Sequence, residues 1–248
     1  MMIKLERNFH PLCLSPNEVR RLTGEYNSTG HSVWNFDELK EALLKTSHGK
    51  CAYCESTLSV EAKYMEVEHF RDKDGNPDLV VDWHNLLPSC KRCNGAKGTH
   101  DTLIEPIVNP YEADPKDHFK FRLYRFRAKS QLGKCTINTL DLNNQVRVVA
   151  VRFDICEKIQ ESLQTALERL TLFKEKASTL RKNRLMAIVQ GILAECQPSS
   201  AYAASVASMV HSDQFYADLI DELKQLGLWN DELNGLHNSS LALAFETA

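Results

Sequence analysis

Two Cys-x-x-Cys pairs constrain this 248-residue chain more than any other feature. Cys51-Ala-Tyr-Cys54 opens the stretch and Cys90-Lys-Arg-Cys93 closes it, with 35 residues between them. Cysteines spaced this way turn both thiolates toward one ion, and two such pairs supply a closed tetrahedral set, the usual arrangement of structural zinc. Four thiolates leave no open position. The Zn2+ expected on Cys51, Cys54, Cys90 and Cys93 is therefore structural and not catalytic. The interval exceeds common zinc-ribbon spacing, so the residues inside it are expected to form a subdomain with chemistry of its own.

Metal is preferred over disulfides because of where the chain is expected to work. Its first residues, Met-Met-Ile-Lys-Leu-Glu-Arg, form no long apolar run, so no secretory signal is expected. No stretch approaches the length of a membrane span. A cytoplasmic chain keeps its thiols reduced, which points paired cysteines to metal. The remaining four of the eight cysteines, Cys13, Cys135, Cys156 and Cys196, are expected to be small buried apolar residues. A formal charge of −3 argues against a generally basic nucleic-acid coat and leaves room for a local basic channel.

The chain is expected to be α+β and mostly helical, with one domain over 1–140, a zinc-bound core at 48–105, and a helical domain over 141–248. Ser15-Pro16-Asn17-Glu18 can start a short helix through Arg21, followed by a loop at 27–30. Residues 36–47 read as a helix capped by Asn35. Residues 64–70 read as a strand, with Glu66 and Glu68 on one face and His69 on the other. A helix is expected to begin near Cys93, placing Asn94 and Lys97 on one face. Residues 118–129 read as one long strand whose inward face switches near Leu123 at a bulge. Leu132-Gly133 is expected to turn the chain into a short helix over 136–142. Helical periodicity from Val146 predicts a long helix broken near Ser178, a second to Ala194, and a third over 200–225, with 234–248 loosely held.

Between 118 and 134 lie six Lys/Arg residues and no acid. Lys120, Arg122, Arg125 and Arg127, interleaved with aromatics, make this the best candidate phosphate-binding surface outside the core. A solvated basic strand face is the alternative.

Within the cysteine-bracketed interval, Glu68-His69 is followed by Asn85 sixteen residues on, Asn94 nine further and Lys97 three beyond. An acid–His pair alone is a weak signal. The ordered set, flanked by Cys-x-x-Cys pairs, resembles the HNH nucleases and their ββα-metal fold over residues 51 to about 100. That family places an acid–His pair at a strand end, a central Asn, and a His or Asn at the start of the helix. Glu68 departs from the Asp that many members carry.

The resemblance implies His69 as general base, Glu68 and Asn94 as oxygen ligands of a catalytic Mg2+ or Mn2+, and Asn85 as the residue that orients His69 or ties the loop to it. Lys97 is expected near the phosphate or sugar. Glu66 is a supporting residue rather than a ligand, and His84 is read as structural or phosphate-facing.

The wider chain, through Ile3-Lys-Leu-Glu-Arg, Val67-Glu-His-Phe-Arg and Asn109-Pro-Tyr-Glu-Ala-Asp-Pro115, is similar to the PtuB-type HNH proteins of Septu anti-phage and related retron systems. That similarity implies an endonuclease effector of bacterial defence. Its implied partners are a PtuA-like ABC/SMC-type ATPase and a retron reverse transcriptase–msDNA complex. DNA is the expected substrate, with RNA, including tRNA, as the alternative. A non-catalytic zinc module that binds nucleic acid or a protein is the competing reading.

Overall fold

In the computed structural model, which describes residues 2–58 and 65–247, the cysteine-bracketed interval forms two antiparallel strands followed at once by a helix. Strand β1 (Met65–His69) pairs with β2 (Leu86–Cys90), Met65 opposite Cys90 and His69 opposite Leu86. Tyr64, the expected first strand residue, lies outside the described residues. Helix α3 (Lys91–Lys97) starts on the residue after β2, two residues before Cys93. Cys90 caps it: its Sγ accepts from the Cys93 N–H at 3.5 Å. The metal knuckle and the helix start are thus one turn.

The first knuckle is bound to the same pair of strands. Lys50 bridges Thr57, the Cys51 N–H donates to the Ser56 carbonyl, and the Ala52 N–H donates to Pro88 in β2 at 2.9 Å. A buried Lys50–Glu55 ion pair at 2.6 Å spans the knuckle. Two earlier helices pack in this part of the chain. Helix α1 (Pro16–Thr29) is capped by Ser15 and ends at Gly30, whose φ is 70°. It runs past Arg21 and Gly24 because Arg21 bonds both Glu18 and Glu25 along the helix and Leu22 is buried. The expected loop at 27–30 is its last turn. Helix α2 (Asp37–Thr46) takes Phe36 rather than Asn35 at its N-cap, with no side-chain cap; Asp37 and Glu38 in the first turn complement the helix dipole instead.

Residues 118–129 are two strands and not one. β3 (Phe119–Arg122) and β4 (Arg125–Ala128) pair around Leu123-Tyr124, both at positive φ, 48° and 62°. The side-chain parity switches because the chain reverses. Helix α4 (Gln131–Thr139) follows, capped by Ser130, and already includes Leu132-Gly133. Gly133 is required there: a Cβ would stand 2.2 Å from the His118 carbonyl oxygen.

The described chain divides into two compact units, one of residues 2–119 with 126–143, the other of residues 120–125 with 144 onward. The second unit is a helical bundle. A wide turn at Gln145–Val149 leads into α5 (Ala150–Glu175), and Ser178 caps α6 (Thr179–Glu195). The expected single helix over 200–225 is two, α7 (Ala203–Ser212) and α8 (Gln214–Gln225), because Asp213 is extended and caps α8. The tail expected to be loose is helix α9 (Asp231–Leu243), followed by a buried Phe245 whose N–H bonds Ser208. Leu163, Leu185, Ile192, Val206, Leu219 and Leu233 meet in the core. Among the described residues, no helix is long and apolar enough to cross a membrane.

Candidate active site

The four knuckle sulfurs gather in one cluster, all within 4.8 Å of one another. A tetrahedral ion with bonds to sulfur of about 2.3 Å spaces its ligands about 3.8 Å apart. The Cys54 and Cys90 sulfurs stand 3.7 Å apart, so the donor set fits zinc. Cys51, Cys54 and Cys93 are buried. Arg92 Nη2 donates to the Cys93 sulfur at 2.9 Å, while its Nη1 bonds the carbonyls of Leu140 and Asp141. A cationic donor on the outer face of a thiolate set offsets its negative charge.

Inside the staple, Glu68, His69 and Asn94 line one cavity of about 220 Å3, together with Trp34, Asp72 and Lys73. β1 delivers Glu68 and His69 at its end; the first turn of α3 delivers Asn94. The His69 ring is fixed from two sides. Its Nε2 donates to the Val80 carbonyl at 2.9 Å, and Trp34 meets it edge-on with ring centroids 4.6 Å apart. A carbonyl only accepts, so the ring proton sits on Nε2 and the lone pair is on Nδ1. Burial lowers the His69 pKa to about 4, Lys73 and Lys97 adding to the effect against the pull of the Val80 bond. The imidazole is neutral at pH 7.

Asn85 builds the loop that carries Val80. Its Oδ1 accepts from the Arg71 N–H at 2.7 Å, and its Nδ2 donates to the carbonyls of Arg71 and Leu79. Leu79 precedes Val80, whose carbonyl the His69 ring bonds.

Glu68 is buried, and burial raises its pKa to about 7 against the pull of Lys97. Lys97 Nζ lies 2.8 Å from Glu68 Oε1, and Tyr53 donates to the same oxygen at 3.4 Å. Both contacts fall on Oε1, which leaves Oε2 for a further cation. Asn94 is oriented from behind. Its Nδ2 donates to Glu66 Oε2 at 2.7 Å, so the amide oxygen is the free end. Carboxylate and amide oxygens form a hard donor set that fits Mg2+ or Mn2+ and not a soft ion.

Lys97, expected at a phosphate, is buried and bonded to Glu68 and to the His69 carbonyl. His84 is exposed and lines no part of the cavity. The basic candidates are not among the cavity residues either: Lys120 pairs with Glu246, Arg125 bonds the Leu123 carbonyl, and Arg122 and Arg127 are exposed. Trp34, Asp72 and Lys73 are among the cavity residues that no sequence motif marked. Asp72 and Lys73 lie in the polar segment just after β1, and Trp34 carries no local motif.

Comparison with known proteins adds three findings. Residues 51–100 match the family model for HNH endonucleases. The chain is 43% identical over 233 residues to the Septu protein PtuB of Bacillus thuringiensis, covering 93% of this chain and 90% of that one. It is 27% identical over 236 residues to the Septu protein PtuB of Bacillus mycoides (strain KBAB4), covering 77% of each. No solved structure matches the chain.

Proposed function

Because the chain belongs to the Septu PtuB family and carries an HNH endonuclease domain, we propose that it is a divalent-metal-dependent endonuclease that hydrolyses phosphodiester bonds, DNA first among substrates. The observation that carries this reading is the convergence of Glu68, His69 and Asn94 on one cavity, with the His69 base nitrogen free and neutral.

His69 Nδ1 accepts the proton of the attacking water as general base. Trp34 and the Val80 carbonyl hold the ring in one orientation, so the lone pair costs little reorganisation. Asn85 fixes the 71–80 loop and with it Val80. Glu68 Oε2 and Asn94 Oδ1 would hold the divalent cation, Mg2+ or Mn2+. When bound, such an ion would supply charge neutralisation at the scissile phosphate and at the departing 3′ oxygen. Lys97 balances the buried Glu68 carboxylate and ties the end of β1 to α3.

The Septu family supports a place in anti-phage defence and a partner ATPase of the ABC/SMC type, with the exposed Arg122 and Arg127 as candidate phosphate contacts. A retron partner does not enter this reading, since both relatives carry the Septu name. The test is cleavage of supercoiled plasmid and of total tRNA in Mg2+, with and without the ATPase, using His69→Ala and Asn94→Ala as controls. Plasmid nicking lost in both variants is expected. Cutting of tRNA alone replaces DNA by RNA, and cutting of neither favours the binding-module reading.

A further inference from the structure

We propose that His100, Glu105 and Cys135 form a second metal site, distinct from both the cysteine staple and the His69 cavity, that takes a borderline-soft divalent transition ion such as Zn2+. Each residue offers one ligand atom, and the three atoms lie within 4.8 Å of one another. All three belong to the same compact unit. Two come from the segment that leaves α3, and the third comes from α4, thirty residues further along.

The surroundings hold these groups in place. Asp101 Oδ1 accepts from the N–H groups of Leu103 and Ile104, and the Glu105 N–H returns to the Asp101 carbonyl. This closes the turn between His100 and Glu105. His100 Nε2 donates to the Glu105 carbonyl at 2.7 Å. That bond fixes the tautomer and leaves Nδ1 as the nitrogen able to bind a metal, 3.9 Å from Glu105 Oε2. Glu105 is 70% exposed, so its carboxylate can rotate inward without moving the backbone. Cys135 is half-buried on α4, its sulfur 3.9 Å from the Glu105 carbonyl oxygen and 3.8 Å from Thr139 Oγ1.

One imidazole, one thiolate and one carboxylate suit zinc and do not suit Mg2+ or Ca2+, which avoid sulfur. Three protein ligands leave the fourth tetrahedral position open. A cavity of about 480 Å3, lined by Glu105 and Cys135 with Lys134, Asn138 and Thr139, adjoins them. The fourth ligand is therefore water or an exogenous anion. An ion here also staples the segment after α3 to α4.

The test is the metal content of the full-length chain equilibrated at micromolar free zinc, before and after a mild chelator. The expected result is two equivalents of zinc, one of which the mild chelator removes. Cys135→Ser and His100→Gln are expected to hold one equivalent only. Co2+ added to the chain with its staple filled by zinc is expected to give a thiolate-to-metal absorption band that Cys135→Ser loses. Second-sphere partners alone change metal affinity about 10–100-fold, so Glu105→Gln, on an exposed side chain that leaves the fold intact, is expected to weaken the second equivalent at least about tenfold. A single equivalent in the parent chain overturns the site. So does a second equivalent that survives Cys135→Ser and His100→Gln, or that binds equally well in Glu105→Gln if those two fail to fold.

Discussion

Lys97 Nζ lies 2.8 Å from Glu68 Oε1, with side chains 1% and 2% exposed. A lysine and a glutamate buried to this degree are stable only as a pair. Removing one partner strands the other charge, which costs about 3–5 kcal/mol. Lys97→Met keeps the stem and deletes the charge. It is expected to lower the unfolding free energy by about 3 kcal/mol in urea denaturation, with Glu68→Gln added to it recovering part of the loss. A surface phosphate contact would instead leave stability unchanged.

Glu66 and Asn94 form a second such relationship, at 2.7 Å. Glu66→Ala frees the Asn94 amide to rotate. The Mg2+ concentration for half-maximal cleavage is expected to rise about 10–100-fold, the usual cost of losing a partner that orients a metal ligand. Glu66→Gln keeps an accepting oxygen and is expected to stay near the parent. Metal titration of the cleavage rate reads both.

Gly133 faces the His118 carbonyl oxygen at a distance no Cβ tolerates. Gly133→Ala would raise helix propensity in an open helix. Here it must push α4 away from the His118 turn that leads into β3, and a loss of about 2 kcal/mol or more is expected from the clash. Thermal unfolding of the two chains measures it.

The helical bundle carries a pH signature. Burial, with His237 adding to it, lowers the His211 pKa to about 4, and His211 Nε2 meets Ser240 Oγ at 2.8 Å. An unfolded histidine titrates near 6.5. Between about 4 and 6.5 the folded chain therefore binds fewer protons than the unfolded one. The stabilisation is full above pH 6.5 and is lost as pH falls toward 4. His69 contributes the same slope, while Glu68, raised to about 7, opposes it. The difference between parent and His211→Gln isolates His211. The variant is expected to lose about 2 kcal/mol less than the parent between pH 7 and 4.5 in urea titrations.

The centre of the fold was legible because its chemistry is local. Cys90 both opens the second knuckle and caps α3, so ligand spacing and helix start coincide in the sequence. Glu68-His69 closes a short strand for the same reason. The hairpin at Leu123-Tyr124 was not legible, since both residues adopt positive φ without the Asn or Gly that announces such a turn. The break at Asp213 was hidden by apolar residues that keep helical period on either side. Trp34 reaches His69, and Cys135 reaches His100, only through tertiary packing. A lysine beside a nuclease motif suggests a phosphate contact, whereas the burial of Lys97 against Glu68 is a tertiary feature that no local pattern announces.

The central claim is that His69 is the base of a metal-dependent nuclease. Its most direct test compares plasmid cleavage rates of the parent and His69→Ala, in Mg2+ with the partner ATPase present, at matched zinc content in the cysteine staple. General-base catalysis contributes about 10²- to 10⁴-fold, and a loss in that range is predicted while folding and zinc content stay at parent values. A folded, zinc-loaded His69→Ala chain that cuts at the parent rate would contradict it.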